Sequence, residues 1–513
     1  MTVAAIRKER KMSKMLDKLK RYTARTNFTR SLVTVCVILV AIVFNAILFS
    51  LTSIFGLYLY TPSELDFSLS ESTDTLMQSI EEGGGVEVYF CMPREELKTH
   101  ATGSYLLRTV EQMEEKYSDT VTFRFINIIT KMDEDGNYFD ISPYAKDEDG
   151  NNVTILKTSV IFQSGDNHRV LTSNSYEDFY FLNDKMEPLA YCGEEVFLSL
   201  MLWVQSEYHP TAYFTSSHSE NPDGSLARVL AAAGYKISTI NLRRENIPDD
   251  CDLLVINAPR ADFERSYEGS GVVSEMDRLT AYANRGGAIY VSLDPFLKQP
   301  LPVLEGFLQE YGIALSRSEV DGETYANIVT DNSQGITTDG YTLVGRFDTV
   351  GIGDKIHQTL LPYTDGNVLL YRSGSLVLSE GASPLLFASA SAELYAGGRR
   401  MDDEGNYVLS ATGKREYEGV TSSLFVVPSV YMTASDATLS NTYSNREFLL
   451  GIFDEIFENE GKLPYGVRSV KTETNLIEDL SLREARLYTA LAFLPAVALV
   501  VLGAVVLVRR KHK

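Results

Sequence analysis

The chain has 513 residues, 44% hydrophobic and 23% charged, so it has room for roughly two to four domains with a sizeable core and is not disordered as a whole. Its formal charge of −22 is unevenly placed: residues 1 to 30 hold ten Lys or Arg against two acids, residues 509 to 513 hold four bases, and residues 31 to 508 carry −34. So large an acidic excess argues against nucleic acid as a partner, and four cysteines without a C-x-x-C pair give neither a disulfide framework nor a zinc site.

No charged residue occurs from Ser31 to Ser63. The apolar run there is long enough to cross a hydrocarbon core that needs roughly 20 residues, so it predicts a transmembrane helix. A cleaved signal peptide competes with this reading, but its apolar region is only about 7 to 15 residues and ends at a small-residue site absent here. A second span runs from Leu487 to Val508 and stops at Arg509, Arg510 and Lys511. Basic residues lie outside both spans, which places both termini in the cytoplasm and everything between them outside. Residues 7 to 30 are basic enough to lie on an anionic inner leaflet. Asn45 and Pro495, one in each span, read as residues tolerated within a helix bundle.

The outer region begins with VEVYF, a helical stretch from Ser104 to Tyr117 with Leu106, Leu107, Val110 and Met113 in step, and the alternating VTFRFINI. This is a β-α-β unit. The acidic segment KMDEDGNYFDISPYAKDEDGNN reads as a solvated loop, because Tyr138 and Asn152 stand where a calcium-binding loop needs Gly and no Glu closes either run. Thr158 to Phe162 and His168 to Thr172 form a hairpin, completing a small domain near Leu182. The helix from Gly193 to Ser206 is apolar around most of its girth, which predicts burial between two domains, with Trp203 packed rather than stacking on a ligand.

Next comes the grammar of a parallel α/β sheet. Strands are expected at Ala212 to Thr215, Tyr235 to Ile240, Leu253 to Asn257 and Ala288 to Leu293. The helix before the last of these has Ser274 as cap with Asp277 three residues on, an apolar face of Met276, Leu279, Tyr282 and Ala283, and a stop at Gly286 and Gly287. Ligands of such sheets sit at the carboxyl ends of the strands, here near His218, Pro259 and Asp294. A helix follows over residues 302 to 311, residues 320 to 420 alternate weak strand patterns with turns, TSSLFVVPSVYM reads as a further strand, and NREFLLGIFDEIFENEG as a helix capped by Asn445 or Ser444. Pairing among Cys91, Cys192 and Cys251 is left open by the sequence.

An enzyme on this scaffold would carry its nucleophile at a sharp strand-to-helix turn. After LLVINA come Pro259, Arg260, Ala261 and Asp262, with no Cys or Ser, and Cys251 is at the wrong end of that strand. His218 and Glu220 are the best remaining pair, read as a turn residue or ligand contact before a catalytic base. Asp294 before Pro295 reads as a helix-start carboxylate. Gly83 to Gly85 and Gly286 with Gly287 do not meet dinucleotide or P-loop spacing, so no nucleotide site is indicated.

The segments IPDDCDLLVINAP, SEMDRLTAYANRGGAIYVSLDP, the GEEVFLSLMLWV helix leading into TAYFTSSHSE, and the terminal span with its basic tail resemble the GldG family of gliding-motility-associated ABC transporter auxiliary proteins. The resemblance covers nearly the whole chain in order. It implies an α/β fold: a thioredoxin-like β-α-β unit over 61–190 and a glutamine-amidotransferase-like parallel domain over 191–465 with a β-rich insertion. It further implies spans at 31–60 and 487–508, cytoplasmic tails at 1–30 and 509–513, and a tether over 466–486. The expected role is a non-enzymatic subunit in a bacterial cell membrane, without cofactor or metal, partnered by a separately encoded permease and cytosolic ATPase. The family's G-H-G-E turn falls on Ser217, His218, Ser219 and Glu220, with both glycines replaced by Ser, and these four with Asp294 are the expected ligand or partner contacts. Gly193 with Glu194 match the residues before the family's buried helix. An envelope hydrolase using His218 and Glu220, or a structural surface protein, are the alternatives.

Overall fold

A computed structural model describes residues 67–472, apart from 101, 149, 174, 184, 222–223, 267–270, 334, 338, 403–404 and 458–461. Both expected membrane spans and both basic tails lie outside the described residues. Among the described residues no helix is long and apolar enough to cross a membrane.

The described residues fall within one compact unit with two large sheets and three small ones. The first lobe opens with α1 (Thr73–Glu82) and β1 (Val86–Phe90). Then come α2 (Arg94–Thr99), α3 (Gly103–Lys116), β2 (Val121–Asn127), β3 (Met132–Asp133) and the hairpin β4 (Val160–Ser164) and β5 (Asn167–Leu171). The sheet order is β3-β2-β1-β4-β5, with β1 and β2 parallel and β4 and β5 antiparallel. Alternation in VTFRF sends Val121, Phe123 and Phe125 inward and Thr122 and Arg124 to solvent. A three-stranded ribbon of β6 (Tyr180–Leu182), β7 (Pro188–Tyr191) and a strand from the far end of the chain closes this lobe. Sequence patterning missed α1 and α2. The second is only six residues long, too short to show a period.

Helix α4 (Gly193–Gln205) is buried nearly all round, as its composition predicts. Phe197, Leu198, Met201, Trp203 and Val204 join the first lobe's core, while its outer side meets the next lobe at α5 (Gly224–Ala232). Trp203 stacks on His209 with centroids 3.6 Å apart, and the Arg169 guanidinium lies 4.7 Å from its ring. Gly193 is required here: a Cβ would stand 1.9 Å from the Tyr191 hydroxyl.

The second lobe has β8 (Thr211–Thr215), β9 (Lys236–Ile240), β10 (Leu253–Asn257), α6 (Glu275–Asn284), β11 (Ala288–Ser292) and α7 (Pro302–Gln309). All five residues of β10 and of β11 are buried, as expected of central strands covered on both faces. Leu253 and Val255 enter one core and Leu254 and Ile256 the other. The capping box of α6 is present, with Ser274 and Asp277 exchanging hydrogen bonds.

Residues 313 to 427 take in the stretch 320 to 420 that the sequence left unparsed and the strand expected in TSSLFVVPSVYM. They contain β12 (Thr342–Phe347), α8 (Gly351–Leu360), β13 (Val368–Tyr371), β14 (Ala382–Phe387), β15 (Val408–Tyr417) and β16 (Val420–Val427). The main sheet runs β13-β12-β14-β15-β16-β11-β10-β8-β9. Its parallel part is β9-β8-β10-β11-β16, in which the strand order reverses between β8 and β10. Strands β13 to β15 continue it antiparallel.

Helix α9 (Asn445–Phe457) and β17 (Val470–Lys471), the strand that pairs with β7, end the described chain. The Asn445 side chain is not spent on the helix cap. Its amide bonds to the Leu369 N–H and to the Leu369 and Met432 carbonyls, while the Ser444 hydroxyl pairs with Thr364. The Arg446 guanidinium, buried beside them, donates to Glu195 Oε1 at 3.0 Å, Glu447 Oε1 at 3.0 Å and the Pro464 carbonyl at 2.8 Å. At the entry to the fold, Ser70 donates through its amide and hydroxyl to Glu194 and accepts at Oγ from the Arg468 N–H at 3.0 Å.

Candidate ligand crevice at the carboxyl ends of the parallel strands

In open α/β sheets the space outside the carboxyl ends, where strand order reverses, receives ligands. Here that space lies beyond β8 and β10, between the turn 216–221 and the segment 258–262.

The turn after β8 carries four of the five residues singled out from sequence. Ser217 and Ser219 take φ of 125° and 55°, a backbone region that favours glycine, so the serines keep the conformation despite their Cβ atoms. His218 between them is fully buried. Its Nδ1 lies 3.2 Å from Glu220 Oε1, its Nε2 lies 3.0 Å from Glu275 Oε2, and its ring stacks on Phe263 with centroids 4.1 Å apart. Glu275 is the first residue of α6, which sequence reasoning did not connect with His218. Most of the remaining groups are committed too, although Glu275 Oε1 accepts no hydrogen bond and has only the Arg243 charge beside it. Glu220 Oε2 accepts the His218 N–H, Glu275 Oε2 accepts the Glu264 N–H, Arg243 Nε is 3.5 Å from Glu275 Oε1, and the His218 carbonyl accepts from Arg260 and Ala261.

Burial alone would lower the His218 pKa, but hydrogen bonds to Glu220 and Glu275 outweigh it and hold the imidazole above its ordinary 6.5. Burial works the other way on Glu220, and again the bond to His218 prevails, pulling the carboxyl down to about 2. The arrangement is an imidazole clamped between carboxylates that favour its protonated form. It ties the β8 turn to the 260–264 segment and to the start of α6.

At the end of β10, Ala258 has φ 47° and is buried. A left-handed residue at a strand end is where a hydrolase would expose a nucleophile, and this chain has a methyl group there. Asn257 fixes the turn by donating to the Asn221 carbonyl and accepting from the Ser292 hydroxyl. Asp294, at the end of β11, accepts the Phe296 N–H at 2.9 Å. It begins a turn rather than the expected helix, since Pro300 and Pro302 delay the helical run until Pro302. The carboxylate at the start of α7 is instead Asp262, which accepts from Val303 and Leu304.

A polar crevice of about 60 Å³ opens among Asn221, Ala258, Arg260, Asp294, Arg372 and Tyr431. Arg260 and Arg372 were not singled out from sequence. Arg372 follows β13, over a hundred residues from β10, and only the sheet topology brings it here. Its φ is 54°, and its guanidinium lies 3.8 Å from the Phe296 ring centroid. The three cysteines among the described residues are free and buried, and burial pushes the Cys91 and Cys251 thiols up to about 12, which disfavours their thiolates. Among the described residues no His, Cys, Asp or Glu cluster could hold a metal ion.

No protein-family model matches the chain. No curated protein matches it either. Among solved structures it is similar to the mmIFT52 N-terminal domain, with 15% identity and a TM-score of 0.36 over 49% of this chain and 98% of that one. It is similar to PurLQS from Thermotoga maritima, with 11% identity and a TM-score of 0.27 over 48% of this chain and 100% of that one. A cytoplasmic protein from Salmonella typhimurium gives 12% identity and a TM-score of 0.29 over 48% and 98%. At these scores none of the three decides fold family or activity.

Proposed function

We propose that this chain is a non-enzymatic, membrane-anchored auxiliary subunit of an ABC-type transport system, similar to GldG, with an extracytoplasmic body that binds a ligand or partner. The observation that carries the non-enzymatic half is Ala258: the turn that would present a nucleophile is built, buried and left-handed, and holds a methyl group. His218 has both ring nitrogens committed to carboxylates and no exposed surface. A general base must reach its substrate's proton.

The transporter half rests on the sequence resemblance, and three features support it. In the first lobe, the order β2-β1-β4-β5, followed by α4 packed on that sheet, agrees with a thioredoxin-like unit. The parallel order β9-β8-β10-β11-β16 agrees with an amidotransferase-like domain. Ser217 and Ser219 hold left-handed backbone at the two positions where the family's turn has glycine.

Purification of the full chain in detergent from cells that also express a neighbouring ABC permease and ATPase tests the proposal. Stable, stoichiometric co-elution is expected. Elution of the chain alone at every detergent concentration, or substrate turnover by the purified chain, overturns it.

A further inference from the structure

We propose that the crevice beyond β8 and β10 is an oxyanion receptor, in which Arg260 and Arg372 grip the carboxylate or phosphate end group of a small ligand. This deepens the binding reading above and rests on it only in taking the strand-end face as the ligand face.

The first argument is electrostatic. Residues 31 to 508 carry −34, and arginines elsewhere in the fold are mostly neutralised: Arg94 by Glu114, Arg124 by Glu87, Arg317 by Glu305, Arg446 by Glu195. Arg260 and Arg372 line one small concavity, and neither has a carboxylate oxygen within 4.0 Å among the described residues. In so acidic a chain, two unpaired guanidiniums facing one space at the order-reversal point make a local positive focus. Guanidinium matches the planar, forked geometry of an oxyanion.

The second argument is preorganisation. The Arg260 backbone is fixed by its N–H to the His218 carbonyl at 2.8 Å, so the clamped imidazole positions it. Arg372 is held by its N–H to the Tyr341 carbonyl and by its guanidinium over Phe296. Two non-glycine residues of the crevice, Ala258 and Arg372, take left-handed backbone. Strain of this kind persists where surrounding structure enforces it, and it concentrates at ligand clamps.

Size and the third charge narrow the ligand. A volume of about 60 Å³ admits an end group, and the rest of the molecule would leave past Tyr431, which is 44% exposed. Asp294 lines the same space with one oxygen on the Phe296 N–H. Its free oxygen suits a hydroxyl or ammonium donor next to the oxyanion, and its charge disfavours a naked dianion. The ligand class is therefore a small acid with an adjacent donor, and the test separates the carboxylate source from the phosphate source.

The test is calorimetric and thermal-shift titration of the full chain in detergent with acetate, glycolate and inorganic phosphate, each against sodium chloride of equal ionic strength. Saturable binding is expected, with glycolate tighter than acetate. Arg260→Gln and Arg372→Gln should each raise the apparent Kd at least tenfold, while Arg244→Gln at an exposed site leaves it unchanged. Circular dichroism confirms that each variant is folded, and Arg372→Lys supplies a milder change if Arg372→Gln is not. Phosphate binding with no carboxylate binding would assign the receptor to a phosphate end group. Absence of saturable binding for all three anions, or equal binding by both Gln variants, overturns the inference. Its failure alongside successful permease co-purification would leave the proposed function standing.

Discussion

His218 Nε2 lies 3.0 Å from Glu275 Oε2, joining the turn after β8 to the first residue of α6 across 57 residues of sequence. With Glu220 on the other ring nitrogen, the imidazole needs both protons to satisfy both neighbours. The charged groups around it are Glu220 on its own turn, Glu275 on α6, and Arg243, which sits between Glu275 and Glu264.

The pH dependence of this joint follows from opposite shifts. His218 is raised above 6.5, so its stabilisation is complete below 6.5 and is lost as pH rises through its folded-state value. Glu220 is lowered from 4.5 to about 2, so its stabilisation is complete above 4.5 and is lost as pH falls toward 2. Amide exchange of residues 216–221, corrected for intrinsic rates, should be best protected between 4.5 and 6.5 and weaken on the alkaline side. A flat profile from about pH 5 to pH 9 would count against an imidazolium clamp.

Replacing Arg446 by Met should cost about 3 to 5 kcal/mol of unfolding free energy, because Glu447 would remain buried without its cation and Glu195 would keep only Arg228, 3.9 Å from its other oxygen. Urea unfolding measures it. A loss under about 1 kcal/mol would mean that water reaches those carboxylates freely.

Gly287→Ala should destabilise by about 2 kcal/mol or more. The new Cβ would stand 2.3 Å from the Tyr282 ring, which is fully buried and fixed by its hydroxyl on the Ala288 carbonyl. Since φ at Gly287 is not left-handed, the cause is steric, and Tyr282→Leu in the same chain should recover part of the loss. No recovery would assign the effect elsewhere.

Two helix-start substitutions should differ in size. Ser274→Ala removes one partner of an exposed capping box and should cost about 1 kcal/mol. Asn445→Ala leaves the Leu369 N–H and the Leu369 and Met432 carbonyls unpaired in the core, and should cost about 3 kcal/mol. Equal thermal shifts for the two would refute the non-capping role of Asn445.

What the chain reveals in one dimension follows from how local each signal is. Strands β8 to β11 and the cap of α6 are readable because LLVI and AIYV are continuously apolar and Ser274 sits three residues from Asp277. Residues 313 to 402 are not, because their strands are only three to six residues long and many carry polar residues on an outer face, so no period accumulates. The crevice divides the same way. His218, Glu220 and Asp294 stand out by type and position, whereas Glu275 and Arg372 reach the face only through α6 and β13. Asn445 looks like a cap in sequence, and only the neighbouring β13 shows where its amide goes.

Ser70 and Arg468, 398 residues apart, are joined by a single hydrogen bond beside the Glu194 carboxylate, while β17 pairs with β7 close by. The described fold is thus a ring with its clasp at Ser70, Glu194 and Arg468. Tension applied where the chain enters and leaves would load the short β17–β7 pairing and that clasp before the two larger sheets, so a tug from outside the fold would open the ring and leave the main strands and their crevice intact.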